Sequence, residues 1–149
     1  MTPEQALRLL LIEDEPGDSR LMQLALKKNG FDHELHIVGD GVEAMRFLLR
    51  EDERFRHAIR PDLILLDIKM PGQSGLEFLQ GIKRHAALRS IPVIVITTSM
   101  LEADVQAAYR LGAAGYILKP NDLNDFIQAI ARMGHYWFKL VRIPKNADD

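Results

Sequence analysis

The sequence predicts an α/β fold in which helices cover both faces of a parallel sheet. Short apolar runs rich in Leu, Ile and Val recur along the chain, and each stops at polar residues. Segments with apolar residues at helical spacing lie between these runs, and turn-forming pairs such as Asn29-Gly30 and Pro71-Gly72 separate the segments. Strands that alternate with helices imply parallel βαβ units, with about five strands and five helices in one doubly wound layer.

Five apolar runs are predicted to be strands. Four of them stop at residues that could carry chemistry, and the fifth is a weaker pattern. The runs are Leu7 to Ile12 before Glu13-Asp14, Leu35 to Val38, Leu63 to Leu66 before Asp67, Pro92 to Ile96 before Thr97, and Tyr116 to Leu118 before Lys119-Pro120.

Five segments between or after the strands are predicted to be helices, because their apolar residues recur on one face. The second is expected to run from Gly41 to about Glu53, and the last is expected to be long. The apolar faces of the first, third, fourth and last helices are Leu21, Leu24, Ala25 and Lys28; Leu76, Leu79, Ile82 and Ala86; Leu101, Val105, Ala108 and Gly112; and Leu123, Phe126, Ile127, Ile130, Met133 and Trp137.

Length and composition indicate one domain over residues 1–149. The chain has 149 residues, of which 47% are hydrophobic and 27% charged, as in an ordinary globular domain. The net charge of -2 gives no reason to expect binding to nucleic acid. Cysteine is absent, which excludes disulfides and thiolate metal sites. The N-terminus has neither an export signal nor a membrane span, so we expect a cytoplasmic protein.

The polar residues that end the strands are the candidate site. In an open α/β sheet, ligands gather outside the carboxyl ends of the strands. That edge would hold Glu13, Asp14, Asp67, Thr97 and Lys119. Each of them alone has an ordinary interpretation as a helix cap, strand end or solvated side chain. Together they would be unfavourable for stability, because clustered acids repel one another unless a cation joins them.

This set of residues favours phosphoryl transfer beside Mg²⁺. Oxygen ligands without His or Cys suit a hard ion that keeps several waters and binds phosphate. Glu13 and Asp14 are predicted to hold the metal, directly or through water. Asp67 would offer one oxygen to the metal and the other as nucleophile. The hydroxyl of Thr97 and the ammonium of Lys119 would contact the transferred phosphoryl oxygens.

Four segments of the chain carry a resemblance to a known family: IEDEPGDSR, PDLILLDIKMPGQSGLEFLQGIK, IPVIVITTS and LGAAGYILKP. They closely resemble the signature segments of response-regulator receiver domains, the CheY-like proteins of two-component signalling, over roughly residues 7 to 133. The resemblance implies a flavodoxin-like (βα)5 fold with strand order 2-1-3-4-5. It also implies Mg²⁺-dependent phosphotransfer from a histidine kinase to Asp67, with slow hydrolysis and no turnover of a separate substrate.

The resemblance also implies roles for residues around the acceptor. The Lys119-Pro120 peptide is expected to be cis, and Tyr116 matches the switch aromatic that turns inward as the Thr97 hydroxyl moves toward the phosphate. A core tyrosine is an equal alternative for Tyr116.

Two further positions are predicted to modulate the site. The backbone carbonyl of Lys69 should bind the metal, and its side chain could lean over the phosphoryl group. Thr98 could narrow the access of water. Both could instead be plain surface residues.

Two segments distinguish this chain from a minimal receiver. Residues 50–61 lengthen the second helix and its loop, and residues 134–149 form an aromatic C-terminal extension beyond a core of about 7–133. Both resemble the single-domain regulators that partner phytochrome-type histidine kinases, in which the last helix and tail form a homodimer. Covering the core is an equal alternative for the tail.

Output is expected by docking to a downstream protein, because too few residues follow Pro120 to form an output domain. The surface that includes Tyr109, Tyr116 and Phe126 is the predicted docking surface for this downstream protein.

Three alternative functions fit the sequence less well. A nucleotide-binding domain is rejected, because EDEPGDSR has one Gly where that fingerprint needs three. A Mg²⁺-dependent phosphatase remains a minor alternative, since Lys69 stands where its second acid would be. A phosphorylation-independent module would be expected to lack Asp67 or Lys119.

Overall fold

Five strands form one parallel sheet. The computed structural model describes residues 6–70 and 75–144. Its strands are β1 (Leu7–Ile12), β2 (His33–Val38), β3 (Leu63–Leu66), β4 (Val93–Thr97) and β5 (Gly115–Leu118). All neighbours pair in parallel, in the order β2-β1-β3-β4-β5. The predicted α/β class and the strand order 2-1-3-4-5 are therefore confirmed.

Helices connect the strands and lie on both faces of the sheet. They are α1 (Pro16–Lys28), α2 (Gly41–Leu49), α3 (Gly75–Lys83), α4 (Glu102–Arg110) and α5 (Leu123–Gly134). A 3₁₀ turn spans Glu53–Phe55, and a π-helical segment, His135–Leu140, continues directly from α5. Within the described residues, no helix has the length and apolar content needed to cross a bilayer.

Burial explains why the strand signals differ in strength. Every residue of β3 and β4 is buried, because each strand lies between two others and beneath helices on both faces. In contrast, β2 lies at the edge of the sheet, and only its last residue, Val38, is fully buried. Its sequence HELHIV therefore carries polar residues and gives a weaker strand pattern.

The sheet separates two apolar clusters. Leu10 of β1 packs with Phe78 on the face covered by α2, α3 and α4. Leu9 of the same strand packs with Ile130 on the face covered by α1 and α5. Successive side chains of a strand point to opposite faces, so one apolar run supplies both clusters.

The second helix is shorter than predicted. It ends at Leu49 instead of near Glu53, because Arg50 takes the left-handed conformation with φ 52° and its N–H donates to Phe47 O at 3.3 Å. The chain then folds into the 3₁₀ turn, which buries Phe55 against Phe47 with ring centroids 5.5 Å apart. Part of the lengthened segment is thus packed on the core.

The last α-helix ends at Gly134, and the rest of the predicted long helix is formed by the π-helical segment. A Cβ on Gly134 would lie 2.1 Å from the ring of Phe31, so only glycine fits there without movement. The π-helical segment that follows brings Phe138 to 4.7 Å from the same ring. Trp137 and Phe138 are partly buried against the α1–α5 cluster, whereas Tyr136 and Leu140 remain exposed.

The Lys119-Pro120 peptide is trans, since the described residues contain no cis peptide bond. The expectation of a cis bond, which rested on family resemblance alone, is therefore wrong for this structure. An X-Pro bond favours trans by roughly 0.5–1 kcal/mol when no other contact selects cis. With the trans bond, the Lys119 N–H still donates to Thr97 O at 2.8 Å and continues the pairing of β5 with β4.

Candidate functional site

Two acids meet where neighbouring strands end. Ile12, the last residue of β1, is paired with Leu66, the last residue of β3. Glu13 and Asp67 therefore follow these strands side by side, and the Asp67 N–H donates to Ile12 O at 3.1 Å. Both acids are buried, with exposed fractions of 5% for Glu13 and 7% for Asp67. The sheet register thus brings together residues that are far apart in sequence.

Lys119 reaches the two acids from the β5 side of the sheet, and the acids with this lysine are called the acid centre below. It follows β5, and its side chain reaches past β4 to the acids. Its ammonium donates to Glu13 Oε1 at 2.7 Å and to Asp67 Oδ2 at 3.0 Å. A third contact joins it to Asp18 Oδ2 at 3.2 Å. Three carboxylates therefore surround one ammonium, and the local charge stays negative.

This arrangement shifts the pKa values of two groups. Burial raises the pKa of Glu13 to about 7, and the nearby charge of Asp67 adds to the increase, although the ammonium of Lys119 opposes it. For Lys119, burial acts to lower the pKa. The hydrogen bond to Glu13 and the negative charges of Asp67 and Glu13 outweigh burial, so the pKa of Lys119 is raised. Additional positive charge near the acids would therefore be favourable.

The acids form a group that could hold a cation. Glu13, Asp18 and Asp67 each offer one carboxylate oxygen, and these atoms lie within 4.8 Å of one another. Oxygen ligands of this kind suit a hard divalent cation. Asp14, predicted from its position beside Glu13, is exposed and lies outside this group. Its role as a metal ligand stays a prediction.

Asp18 is a site residue that the sequence reasoning missed. It lies in the first turn of α1, where acids are common because they interact favourably with the helix dipole. Because the helix dipole already explains an acid at this position, the sequence gives no separate indication of the contact between Asp18 and Lys119. A helix that follows a strand directly begins at the carboxyl edge of the sheet, so its first turn is close to the strand ends. The position of Asp18 five residues after Glu13 was the available signal.

Both oxygens of Asp67 have hydrogen-bond partners. Oδ1 accepts the Lys69 N–H at 2.9 Å, and Oδ2 accepts from Lys119. The side chain of Lys69 is exposed, as its predicted modulating role requires. Gly75 also constrains this loop, because a Cβ there would lie 2.5 Å from Ile68 Cα and 2.7 Å from the carbonyl oxygen of Asp67. The start of α3 therefore packs directly on the backbone of Asp67 and Ile68.

The predicted switch residues lie beside the acid centre. Thr97 is fully buried, and its hydroxyl accepts the Ser99 N–H at 3.3 Å. Tyr116 donates its hydroxyl to Ser99 O at 2.9 Å, and Ser99 in turn donates to the carboxylate of Asp104. Burial raises the pKa of the Tyr116 hydroxyl, so it remains a donor at neutral pH. One short loop therefore connects Thr97 to Tyr116.

A cavity of about 320 Å³ opens beside Asp67. The acids and Lys119 form one part of its wall, and Thr98 is exposed at its edge. The remaining wall is largely apolar and comes from α1, α5 and the buried strands; its residues include Leu21, Met22, Ile96, Leu123 and Phe126. A group that approaches Asp67 from solvent would therefore pass between charged and apolar surfaces.

The sequence is similar to response regulators over most of its length. The family model described as the response regulator receiver domain matches residues 9–131. Response regulator Rcp1 of Synechocystis is 42% identical over 136 residues, which cover 91% of this chain and 92% of that protein. The probable methanogenesis regulatory protein FilR2 of Methanothrix harundinacea is 32% identical, with 97% and 92% covered.

Solved structures show the same similarity in three dimensions. The phosphorylated cyanobacterial phytochrome response regulator RcpA superposes with a TM-score of 0.89 at 38% identity, covering 94% of this chain and 99% of that chain. The Mn²⁺-bound form of Rcp1 gives a TM-score of 0.87 at 40% identity, with 93% and 99% covered. The bacteriophytochrome response regulator RtBRR gives 0.73 at 39% identity, with 94% and 85% covered.

Proposed function

This chain belongs to the response regulator receiver domain family of two-component signalling, and we propose that Asp67 is the residue that accepts its phosphoryl group. One observation carries the proposal. The ammonium of Lys119 donates to Asp67 Oδ2 at 3.0 Å and to Glu13 Oε1 at 2.7 Å, inside a buried acid cluster open to a cavity. An acid that is both accessible and held by a cation is suited to act as a nucleophile.

The transfer involves no change of oxidation state. A carboxylate oxygen of Asp67 forms a bond to phosphorus, and the bond between phosphorus and the donor breaks with its electron pair leaving on the donor. A phosphohistidine donor departs as imidazole, which takes up a proton, and acetyl phosphate departs as acetate. Hydrolysis reverses the state of the protein, because water attacks phosphorus, Asp67 is regenerated and inorganic phosphate is released. The cycle is a change of signalling state rather than turnover of a separate substrate.

We propose Mg²⁺ as the metal. The acid cluster fits a hard divalent cation, because its ligands are all oxygens and its net charge stays negative with Lys119 present. Glu13, Asp14, Asp67 and the backbone carbonyl of Lys69 would hold the ion. When bound, Mg²⁺ supplies positive charge that offsets the charge of the phosphoryl oxygens. The Mn²⁺-bound form of Rcp1 supports a divalent site in this family.

The other site residues would act after or around the transfer. Lys119 would donate to a phosphoryl oxygen while Thr97 moves its hydroxyl toward another. Because Ser99 is hydrogen-bonded to both Thr97 and Tyr116, movement of the Thr97 side chain would change the position of the Tyr116 side chain. The side chain of Lys69 and the exposed Thr98 would modulate the access of water. The altered surface around Tyr116 would then be read by a downstream protein.

We further propose a phytochrome-type histidine kinase as the donor and a homodimer as the assembled form. The similarity to RcpA, Rcp1 and RtBRR over most of the chain supports the first part. Exposed Tyr136 and Leu140 on the π-helical segment support the second. Profiling phosphotransfer from a panel of purified histidine kinases tests the donor. Labelling by kinases of other classes at the same rate as by phytochrome-type kinases would contradict this assignment.

Acetyl phosphate and Mg²⁺ provide the direct test of Asp67. Intact mass spectrometry should show one phosphoryl adduct on the wild type and none on Asp67→Asn, which keeps the shape but removes the nucleophile. Asp62→Asn is a matched control, since Asp62 is a buried acid that accepts the Arg8 N–H at the amino end of β3, opposite to the end that Asp67 follows. No adduct on the wild type, or an undiminished adduct on Asp67→Asn, refutes the proposal.

A further inference from the structure

Asp18 contacts the acid centre from a helix that the proposed mechanism does not otherwise use. It lies in the first turn of α1, and its Oδ2 atom is 3.2 Å from the Lys119 ammonium. Its side chain is 41% exposed, compared with 3% for Glu13 and 10% for Asp67. Among the three carboxylates around Lys119, Asp18 is therefore the outermost.

The hydrogen-bonding capacity of Lys119 makes this contact informative. An ammonium has three N–H donors. In the structure they face three carboxylates, at 2.7 Å for Glu13, 3.0 Å for Asp67 and 3.2 Å for Asp18. Two of these partners have other roles in the proposed function, because Glu13 would hold the metal and Asp67 would become an acyl phosphate. Asp18 is the carboxylate of the three to which the proposed function gives no other role, so it is available to Lys119 before and after transfer.

We propose that Asp18 is a positioning residue that holds the Lys119 ammonium beside Asp67 during phosphoryl transfer. The inference rests on the proposed function of Asp67 as acceptor. One N–H of the ammonium stays on Asp18 while another is free to meet a phosphoryl oxygen. Without this anchor, the long and flexible Lys119 side chain would lose orientation, and the electrostatic stabilisation of the transferring group would fall.

Two other roles for Asp18 would leave different signatures. An acid in the first helical turn stabilises the helix by ~0.3–1 kcal/mol, which would change the melting temperature and leave the transfer rate alone. A carboxylate that chiefly binds the metal would shift the Mg²⁺ concentration needed for half-maximal rate, and saturating Mg²⁺ would restore the rate. A positioning residue instead lowers the rate that is reached at saturating Mg²⁺.

The test compares Asp18→Ala, Asp18→Asn and Asp18→Glu with the wild type. Initial rates of phosphorylation by acetyl phosphate are measured by intact mass over a series of Mg²⁺ concentrations. Asp18→Ala should lower the plateau rate roughly five- to tenfold, the effect of one lost charge-assisted hydrogen bond. Asp18→Asn, which keeps one acceptor oxygen, should fall between, and Asp18→Glu should recover most of the rate. Asp32→Asn is the control, because Asp32 is an exposed acid that precedes β2 at the opposite edge of the sheet.

A second measurement follows Lys119 directly. The ¹⁵N signal of its side-chain ammonium, assigned with Lys119→Arg, should shift in Asp18→Ala and stay in place in Asp32→Asn. Circular dichroism should show that each variant is folded, because the Asp18 side chain is partly exposed.

The outcomes separate the inference from the function on which it rests. A normal plateau rate in Asp18→Ala, with a labelled wild type, overturns the role of Asp18 alone. If Asp18→Ala reaches the wild-type rate but needs a higher Mg²⁺ concentration to do so, the positioning role is also overturned, in favour of a role as metal ligand. A wild type that takes up no phosphoryl group overturns the proposed function and this inference together.

Discussion

The ammonium of Lys119 lies 2.7 Å from Glu13 Oε1, although the two residues are 106 positions apart in the chain. This buried ion pair connects the first strand of the sheet to the last. Burial of the Glu13 carboxyl outweighs the opposing effect of the Lys119 ammonium, so the pKa of Glu13 is still raised to about 7.

Glu13 should make the stability of the metal-free protein depend on pH. A carboxyl whose pKa rises on folding contributes stability that is fully present below its unfolded pKa of 4.5 and is lost as pH rises through about 7. The wild type should therefore lose stability relative to Glu13→Gln between about pH 4.5 and pH 7. Urea denaturation in EDTA measures this difference. A difference that moves in favour of the wild type over the same range would contradict the raised pKa.

Divalent cation binding should strengthen as pH rises. A carboxylate must be ionised to bind a metal, so raising pH from 6 to 8 should tighten binding as Glu13 loses its proton. Titration calorimetry with Mg²⁺ at the two pH values measures the change, and Glu13→Gln should bind weakly at both. Equal affinity at pH 6 and 8 in the wild type would show that Glu13 does not participate. Mg²⁺ should also raise the melting temperature, because it binds the folded state.

Gly134→Ala should destabilise the protein, because the new Cβ would lie 2.1 Å from the ring of Phe31. A cost of about 1–3 kcal/mol is typical for forced overpacking. Gly81→Ala is the matched control, since no atom beyond its chain neighbours and the backbone of its own helix lies within 4 Å of the added Cβ, and alanine favours a helix. Chemical denaturation of both variants measures the contrast. If the clash is the cause, Phe31→Ala should reduce the cost of Gly134→Ala, and strictly additive costs would exclude it.

The exposed apolar side chains of the π-helical segment should form the dimer contact. Tyr136 and Leu140 are 48% and 67% exposed, whereas Phe138 packs on Phe31 of its own chain. Tyr136→Ser combined with Leu140→Ser should therefore yield a folded monomer, and sedimentation velocity measures the change. Met100→Ser, at an 80% exposed apolar residue outside this segment, should keep the dimer. An unchanged sedimentation coefficient in the double variant would refute the dimer assignment.

The sequence predicted most of the fold because its signals are local. An apolar run such as Leu63 to Leu66 indicates a strand buried on both faces, and the structure shows every residue of that run buried. The limits of α2 were harder to predict, because Arg50 adopts a left-handed backbone conformation that is uncommon for arginine. The isomer of the Lys119-Pro120 bond was also beyond local signals, since the resemblance to a family gave the only reason for it.

The candidate site was predicted in part for the same reason. Glu13, Asp67, Thr97 and Lys119 each follow or end a strand, so the rule for parallel sheets places them at one edge, and the structure brings both acids to the ammonium. Asp18 was missed because no strand ends there. Its contact with Lys119 depends on the direction in which α1 leaves the sheet.

By itself, the sequence determined the order and approximate positions of the strands and helices and which polar residues stand at the strand ends, because hydrophobic periodicity is a pattern among neighbouring residues. The tertiary structure decided which of these residues meet. It placed Asp18 beside Lys119, left Asp14 exposed, and fixed Gly134 against Phe31. Such contacts join residues about a hundred positions apart, and they depend on the packing of whole helices against the sheet, which no local pattern specifies.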